Sequence, residues 1–437
     1  MQRRTFVRAT ALSASRVLGA NDRVRVGLIG CGGRGRYVAR LMREAPNIDF
    51  PAVADVYDLN AAAAREWAGP GAAAFRDFRK LLERQDVDAV LVATPDHWHA
   101  QATILACQAG KDVYVEKPVS LTVREGRAMV NAARRYQRIV CVGTQHRSAK
   151  HFPKIAEMIR RGDIGQVKFV RVWNYANLTP QGIGRKPDQP PPAGLDWDMY
   201  LGPAPWVPFN PNRFLGTYRW FSDYSGGYIT DFGHHRLDTM QQIMGVTAPK
   251  TISAAGGRFV IDDDGDVPDL LQVTYEYDGF IATYEGSNLN GFGMGAAKVG
   301  PRYYNSRGEF DQPNGICFYG TEGTIFAERT SWAIYPEAVT ERHQPARAVQ
   351  VFYENVPEPT RDHAAHFIDC VRTRQTPSAD IEIGHRSTSV ALLGNIAYRT
   401  GFKLRWDAAR EDFVNAPEAS RLLSRQARRP WNLVPTS

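Results

Sequence analysis

The stretch RVRVGLIGCGGRGRYVARLM, residues 23–42, constrains this chain more than any other. An alternating run from Val24 to Ile29 meets a glycine cluster. Val38, Leu41 and Met42 then recur at helical spacing. Gly30, Gly32 and Gly35 fit G-x-G-x-x-G between a strand and a helix, with Gly33 and Arg34 inside the turn. The first glycine permits the tight turn, the second admits a pyrophosphate to the backbone, and the third lets the helix pack closely. The helix N-terminus then favours the phosphate charge. Gly30, Gly32, Gly33, Arg34 and Gly35 are therefore predicted to hold a dinucleotide.

FPAVADVYD reads as a second strand ending at Asp55, twenty residues beyond Gly35. An acidic side chain there is suited to the adenosine ribose hydroxyls. No arginine follows Asp55 directly, and its carboxylate would repel a 2′-phosphate, so NAD is expected over NADP. The alternation then continues. AVLVATP, DVYVEKP and IVCVGTQ are apolar strands separated by amphipathic helical segments. This pattern predicts an α/β fold with a parallel sheet covered on both faces, a doubly wound Rossmann domain over residues 22–145. Ligands of such folds lie at the carboxyl ends of the strands. Thr94 and Pro95, Glu116 and Lys117, and Gln145 fall at those ends, with His97 and His99 just after.

From residue 146 to 437 the pattern changes. GQVKFVRVWNYA reads as a long strand. Residues 179–211 form a Pro/Gly-rich excursion expected at the surface, as a lid or a subunit contact. Further candidate strands follow one another with few helices between, which predicts an α+β domain built on a large, mostly antiparallel open sheet. In SGGYITDFGHHRLDTMQQIMG, Asp231, His235 and Asp238 are spaced to share one helical face beside Leu237, Met240 and Met244. His234 lies about 100° away from His235 and is expected to be structural. RDHAAHFIDCVRTRQTPSADIEIGHRSTSVALLGNIAYRTG reads as two helices joined by a proline-containing link, with His366 and His385 structural.

The glycine fingerprint, Asp55, ATPDHWHA, EKPVS, VGTQHR and the D-x-x-x-H spacing of Asp231 and His235 together resemble the Gfo/Idh/MocA oxidoreductases, the group of glucose–fructose oxidoreductase and inositol dehydrogenase. The resemblance covers nearly the whole chain after the first twenty residues. It implies a carbohydrate or cyclitol substrate and substrate-binding and proton-transfer roles for Asp231 and His235. It also implies a sheet with helices on one face and the other free for homo-oligomer contacts. Arg147, Asn174 and Trp220 are further candidates for the sugar, because polar forks and aromatic faces suit its hydroxyls.

Oxidising such a hydroxyl moves a hydride from carbon to the nicotinamide and a proton from oxygen to a protein base. Lys117 suits that task if its surroundings favour the neutral amine, and His235 is the alternative. Asp231 is placed to bind a hydroxyl or fix the His235 tautomer, and Glu116 to position cofactor or lysine. Two reactions stay open on these residues. One is a dehydrogenase producing NADH. The other is an NAD-dependent glycosidase that oxidises transiently at C3 and eliminates.

Composition narrows the rest. The net charge of +8 is scattered rather than gathered into a stripe, which excludes the electrostatic footprint of a nucleic-acid partner. The five cysteines form no CxxC pair and show no metal-ligand spacing, so they are expected as small buried residues. No apolar stretch approaches the roughly eighteen residues of a membrane span. The opening MQRRTFVRATALSASRVLGA resembles a twin-arginine export leader, interrupted at Arg16, so residues 1–20 are set aside from the fold and a periplasmic location is expected.

Overall fold

A computed structural model describes residues 23–295 and 311–432; the expected leader lies outside them. The first domain runs β1 (Val24–Ile29), α1 (Gly33–Arg43), β2 (Ile48–Ala54), α2 (Asp58–Ala68), β3 (Ala73–Phe75), α3 (Phe78–Leu82), β4 (Ala89–Val92), α4 (Asp96–Gln108), β5 (Asp112–Val115), α5 (Val123–Arg135) and β6 (Val140–Val142). Its six strands are parallel in the order β3-β2-β1-β4-β5-β6. β4 and β5 are buried along their whole lengths, as strands covered on both faces must be. Val38, Leu41 and Met42 point α1 into that core as their spacing predicts. Strand order reverses between β1 and β4, and a crevice opens there at the carboxyl ends. Gly30 sits at this point with φ +88°, where a Cβ would stand 2.6 Å from the Ala93 backbone. No other residue type fits both constraints.

The second domain continues with α6 (His151–Arg161), β7 (Phe169–Tyr175), α7 (Trp197–Leu201), α8 (His234–Met244), β8 (Thr251–Gly257), β9 (Leu270–Tyr277), β10 (Phe280–Ser287), β11 (Met294–Gly295), β12 (Asp311–Gln312), β13 (Asn314–Tyr319), β14 (Gly323–Glu328), β15 (Ser331–Pro336), β16 (Phe352–Asn355), α9 (Thr360–Thr373), α10 (Ile381–Thr400), β17 (Leu404–Asp407) and β18 (Asp412–Phe413). Ten of these strands form one sheet, β16-β15-β14-β13-β7-β10-β9-β8-β17-β18, antiparallel except where β7 meets β10. Phe152 and Ile155 of α6, Leu237 and Met240 of α8, and Val390 and Leu393 of α10 pack on one face of it. Phe169 and Ile281 are exposed on β7 and β10.

Two expectations are refined on folding. The division at residue 145 is not a division of the packing, because α9 leaves the second sheet and buries Ala364, Phe367, Ile368 and Val371 against α1 and β1. Of the two closing helices, α9 packs on the first domain, while α10 lies between the two, against α5 of the first and β8 and α8 of the second. The excursion at 179–211, expected at the surface as a lid or a subunit contact, is packed: Trp197, Tyr200 and Phe209, with Phe214, Phe221 and Tyr224 beyond it, close into an aromatic cluster of their own. All five cysteines are buried and free. Among the described residues, no helix is long and apolar enough to cross a membrane.

Candidate functional site

A cavity of about 650 Å³ opens at the carboxyl ends of β1, β2, β4 and β5 and continues under the second domain. At its nucleotide end lie Gly30, Gly32, Gly33, Arg34 and Asp55. A Cβ at Gly32 or Gly33 would meet nothing within 4 Å, and no side chain caps α1, so the amides of its first turn are left for a ligand. Gly35 faces away from the cavity. A Cβ there would fall 2.1 Å from the Gly30 carbonyl oxygen, so this glycine serves the packing of α1 on the turn. Asp55 accepts the backbone N–H of Cys31 at 2.7 Å and of Tyr57 at 2.9 Å. Burial nevertheless outweighs these bonds and raises its pKa to about 6.

At the middle of the cavity the loops after β4 and β5 are tied together by His99, whose ring nitrogens stand 2.7 Å from the Pro118 carbonyl and 2.9 Å from the Thr94 carbonyl. Arg34 donates from Nε to Glu116 at 2.7 Å. Arg34 Nη2, Thr94 Oγ1 and Gln145 Oε1 are buried in the wall with no hydrogen-bond partner. Buried polar atoms are seldom left unpaired. Together with the open glycine turn and Asp55, these atoms fit a dinucleotide laid from the ribose end to the strand ends.

Lys117 reaches across to the second domain. Its Nζ donates to Asp231 Oδ1 at 2.6 Å and to the Asp231 carbonyl at 3.0 Å, while Arg219 Nε lies 3.1 Å from Asp231 Oδ2. Burial alone would raise the Asp231 pKa, but Lys117 and then Arg219 overcome it and hold the group at about 2. Asp231 sits in a π-helical turn, Ile229–Gly233, that leads into α8. Such widened turns are frequent at functional sites. His235 follows in the cavity wall, with Nδ1 buried and unpartnered. Burial, then the charges of Lys117 and Arg329, hold its pKa well below the usual histidine value, so it is neutral.

His235 stacks on His146, ring centroids 5.2 Å apart. His146 lies 2.9 Å from Thr239 Oγ1 through Nδ1 and accepts Arg329 Nε through Nε2 at 3.0 Å. Because the Thr239 hydroxyl donates to the His235 carbonyl, it can only accept from His146, which fixes the His146 tautomer.

Thr94, Pro95, His99, Glu116, Lys117, Gln145, Trp220, Asp231 and His235 thus line one cavity with the glycine turn. His97, Arg147, Asn174 and Asp238 do not. His97 is fully buried with Nε2 3.0 Å from the Tyr200 carbonyl, and burial lowers its pKa to about 3. Arg147 is committed to a buried pair with Asp238, Nη2 to Oδ1 2.8 Å. Asp238 is fully buried against Arg147, so of the three residues spaced on one face only Asp231 and His235 line the cavity. Asn174 is closed inside the sheet against Asn314 at 2.7 Å.

His234, His366 and His385 are held by Thr388, by Cys370 and the Ser378 amide, and by Glu411. The site also contains Asp96, Tyr218, Arg219, Tyr228 and Arg329, which sequence reasoning did not select. The density of aromatic residues between Phe214 and Phe232 was a usable signal for Tyr218, Arg219 and Tyr228. Arg329 comes from the turn between β14 and β15, where nothing local marks it.

The profile described as "Oxidoreductase family, NAD-binding Rossmann fold" matches residues 24–144. That described as "Oxidoreductase family, C-terminal alpha/beta domain" matches 170–291 and 322–433. The chain is 23% identical to a myo-inositol 2-dehydrogenase of Thermotoga maritima over 83% of its own length and 92% of the relative's. It is 35% identical to a glycosyl hydrolase family 109 protein of Saccharopolyspora erythraea, over 34% of each chain. Among solved structures, the WlbA dehydrogenase of Bordetella pertussis in complex with NADH and UDP-GlcNAcA superposes with a TM-score of 0.63 at 18% identity, covering 88% of this chain and 99% of that one.

Proposed function

Since the chain belongs to the Gfo/Idh/MocA oxidoreductase family and carries its NAD-binding Rossmann domain, we propose that it oxidises a hydroxyl of a sugar, sugar derivative or cyclitol. One observation carries this reading: Lys117 from the first domain and Asp231 and His235 from the second converge in the cavity that holds the glycine turn and Asp55. NAD, when bound, supplies the hydride acceptor.

The protein's own groups manage orientation and the proton. Two of the three Lys117 donors are spent on Asp231, which leaves one for a substrate oxygen. With Nδ1 of His235 sealed off, Nε2 is the ring nitrogen that a substrate can reach, and a neutral imidazole accepts a hydroxyl proton there. In this reading Lys117 steadies the oxygen as charge develops on it, and His235 takes its proton. Trp220, stacked on Tyr228 with centroids 6.2 Å apart, offers the flat apolar surface that a pyranose or cyclitol ring needs. Purified protein tested on a panel of sugars and cyclitols should reduce NAD with at least one of them, and Lys117→Ala should not. No reduction across the panel would remove the proposal.

The partial likeness to a family 109 glycosyl hydrolase supports a second reading, glycoside cleavage through transient oxidation. Cleavage without net NADH, with solvent deuterium entering beside the oxidised carbon, would select it. We also propose export through the first twenty residues, which fractionation tests, and self-association through the sheet face that exposes Phe169 and Ile281, which light scattering tests.

A further inference from the structure

Arg329 enters the cavity wall from the turn between β14 and β15, far in the fold from the loops that carry Lys117. Two acids seat it there. Its backbone N–H donates to Glu328 Oε1 at 2.6 Å, and its Nη1 lies 3.7 Å from Glu358 Oε1. Glu328 also pairs with Arg236 of α8, both side chains buried, so the turn is bolted to the helix that carries His235. From this seat Arg329 Nε donates to His146 Nε2 at 3.0 Å. A guanidinium never accepts, so that ring nitrogen is the bare one and Nδ1 carries the hydrogen. Thr239 Oγ1, 2.9 Å from Nδ1, agrees, because its own proton goes to the His235 carbonyl. His146 is thus fixed from two sides in one tautomer and one ring plane.

His235 lies on that plane. Phe152, His146 and His235 form a buried column, with the His146 centroid 5.5 Å from Phe152 and 5.2 Å from His235, at interplanar angles of 36° and 28°. Thr239 closes the loop, since it bonds both the His146 ring and the backbone of His235 one helical turn earlier. Turning the His235 ring out of this stack would require His146 to give way and abandon both of its bonds. The charged groups facing His235 are Lys117, from the loop after β5 and paired with Asp231, and Arg329. His146 and His234 are its ring neighbours, and burial keeps both neutral near pH 7. Burial first, then the two cations, disfavours an imidazolium at His235.

We infer that Arg329 and His146 are positioning residues for the proton acceptor: Arg329 locks the tautomer and plane of His146, and the His146 face holds His235 with Nε2 turned to the cavity. This rests on His235 taking the substrate proton, as proposed above. Both residues act through His235. Arg329 has a second effect, because its charge makes a protonated His235 costly. The imidazole therefore stays ready as a base into acidic solution.

Nitrogen NMR of protein labelled with ¹⁵N-histidine tests this without any substrate, with resonances assigned by their loss in His146→Ala and His235→Ala. His146 should show a protonated Nδ1 and a bare Nε2 between about pH 5 and pH 8. His235 should still be neutral at about pH 6, below the ordinary histidine value of about 6.5. Arg329→Met should move the His235 titration upward by about one pH unit or more, and Arg329→Lys, which keeps the charge, should leave it near wild type. Turnover at saturating NAD, with whichever sugar the panel identifies, gives the second readout. Arg329→Met should lower kcat about tenfold or more with KM within about twofold. Neutral His235 is the active form, so the acid limb of its kcat profile should rise in step with the NMR titration. His146→Ala should lower kcat as much and leave that limb in place, because Arg329 remains. Melting curves would verify that the variants are folded, and a merely structural role would change those without moving the limb. The opposite His146 tautomer would overturn the inference, as would an unmoved His235 titration in Arg329→Met or folded variants with wild-type kcat. The expected tautomer and titrations in a protein that oxidises no sugar would keep the coupling of Arg329, His146 and His235 and remove the proposed substrate class.

Discussion

Replacing Asp231 by asparagine tests the core of the site, because shape is kept while charge is lost. Burial pushes the carboxyl upward, yet Lys117 and Arg219 hold it at about 2, against an ordinary 3.8. That difference corresponds to about 2.5 kcal/mol of stabilisation of the folded protein. An amide oxygen can still accept from Lys117, but its nitrogen then faces Arg219 Nε, 3.1 Å from the former Oδ2, as one donor against another. An unsatisfied buried donor adds about 1–3 kcal/mol. Screening from the cavity, which leaves the Asp231 side chain 15% exposed, trims the total, so Asp231→Asn should cost about 2–4 kcal/mol.

The sign of the pH dependence follows from the direction of the shift. A depressed carboxylate contributes its full stabilisation above the unfolded value and loses it as pH falls through the folded one. The gap between wild type and Asp231→Asn should therefore be equal at about pH 7 and about pH 5 and close only below about pH 4. Urea unfolding at both upper values reads it. Turnover should fall about a hundredfold or more, since Lys117 loses the anchor that aims it, while NAD affinity holds. A variant within about 0.5 kcal/mol of wild type that turns over normally would refute the pairing of Lys117 with Asp231 and the role built on it.

Lys117→Ala should lower turnover by about 10²–10⁴-fold in stopped-flow assays of NAD reduction and leave the NAD dissociation constant within about threefold by calorimetry. Burial holds the Asp55 pKa up at about 6 and its ionised form suits ribose hydroxyls, so NAD affinity should drop about tenfold per pH unit below that value. Asp55→Ala should bind NAD more weakly and flatten the profile; an unchanged slope would place the ribose contact elsewhere. Trp220→Ala should raise KM for the sugar about tenfold with kcat nearly kept, as loss of uniform binding does. Arg147→Ala should instead leave KM alone and destabilise the fold by about 3–5 kcal/mol, because it strands buried Asp238.

The first domain was legible because its signals are local. A glycine turn between a strand and a helix, then apolar runs of four to seven residues, can form little except a doubly wound sheet, and β1 to β6 follow that reading strand by strand. Lys117 was legible for the same reason, since strand ends mark the crevice. The second domain was less so. Periodicity placed Asp231 and His235 on one face but could not anticipate the π-turn or the buried Arg147 pair, since each depends on partners distant in sequence. A polar side chain is available to substrate only if no other element claims it first. Asn314 claims Asn174, 140 residues away, and the Tyr200 carbonyl claims His97 across 103. The same reasoning accounts for the packing of the 179–211 excursion, expected at the surface as a lid or a subunit contact. Its prolines exclude it from a ladder, as expected, but its aromatic residues have no reason to face water and instead close over the loops after β2 and β4. A proline-rich segment that also carries several large aromatic residues is therefore better read as a packed cover, and in this protein it covers the cavity where Asp55 and Lys117 both stand.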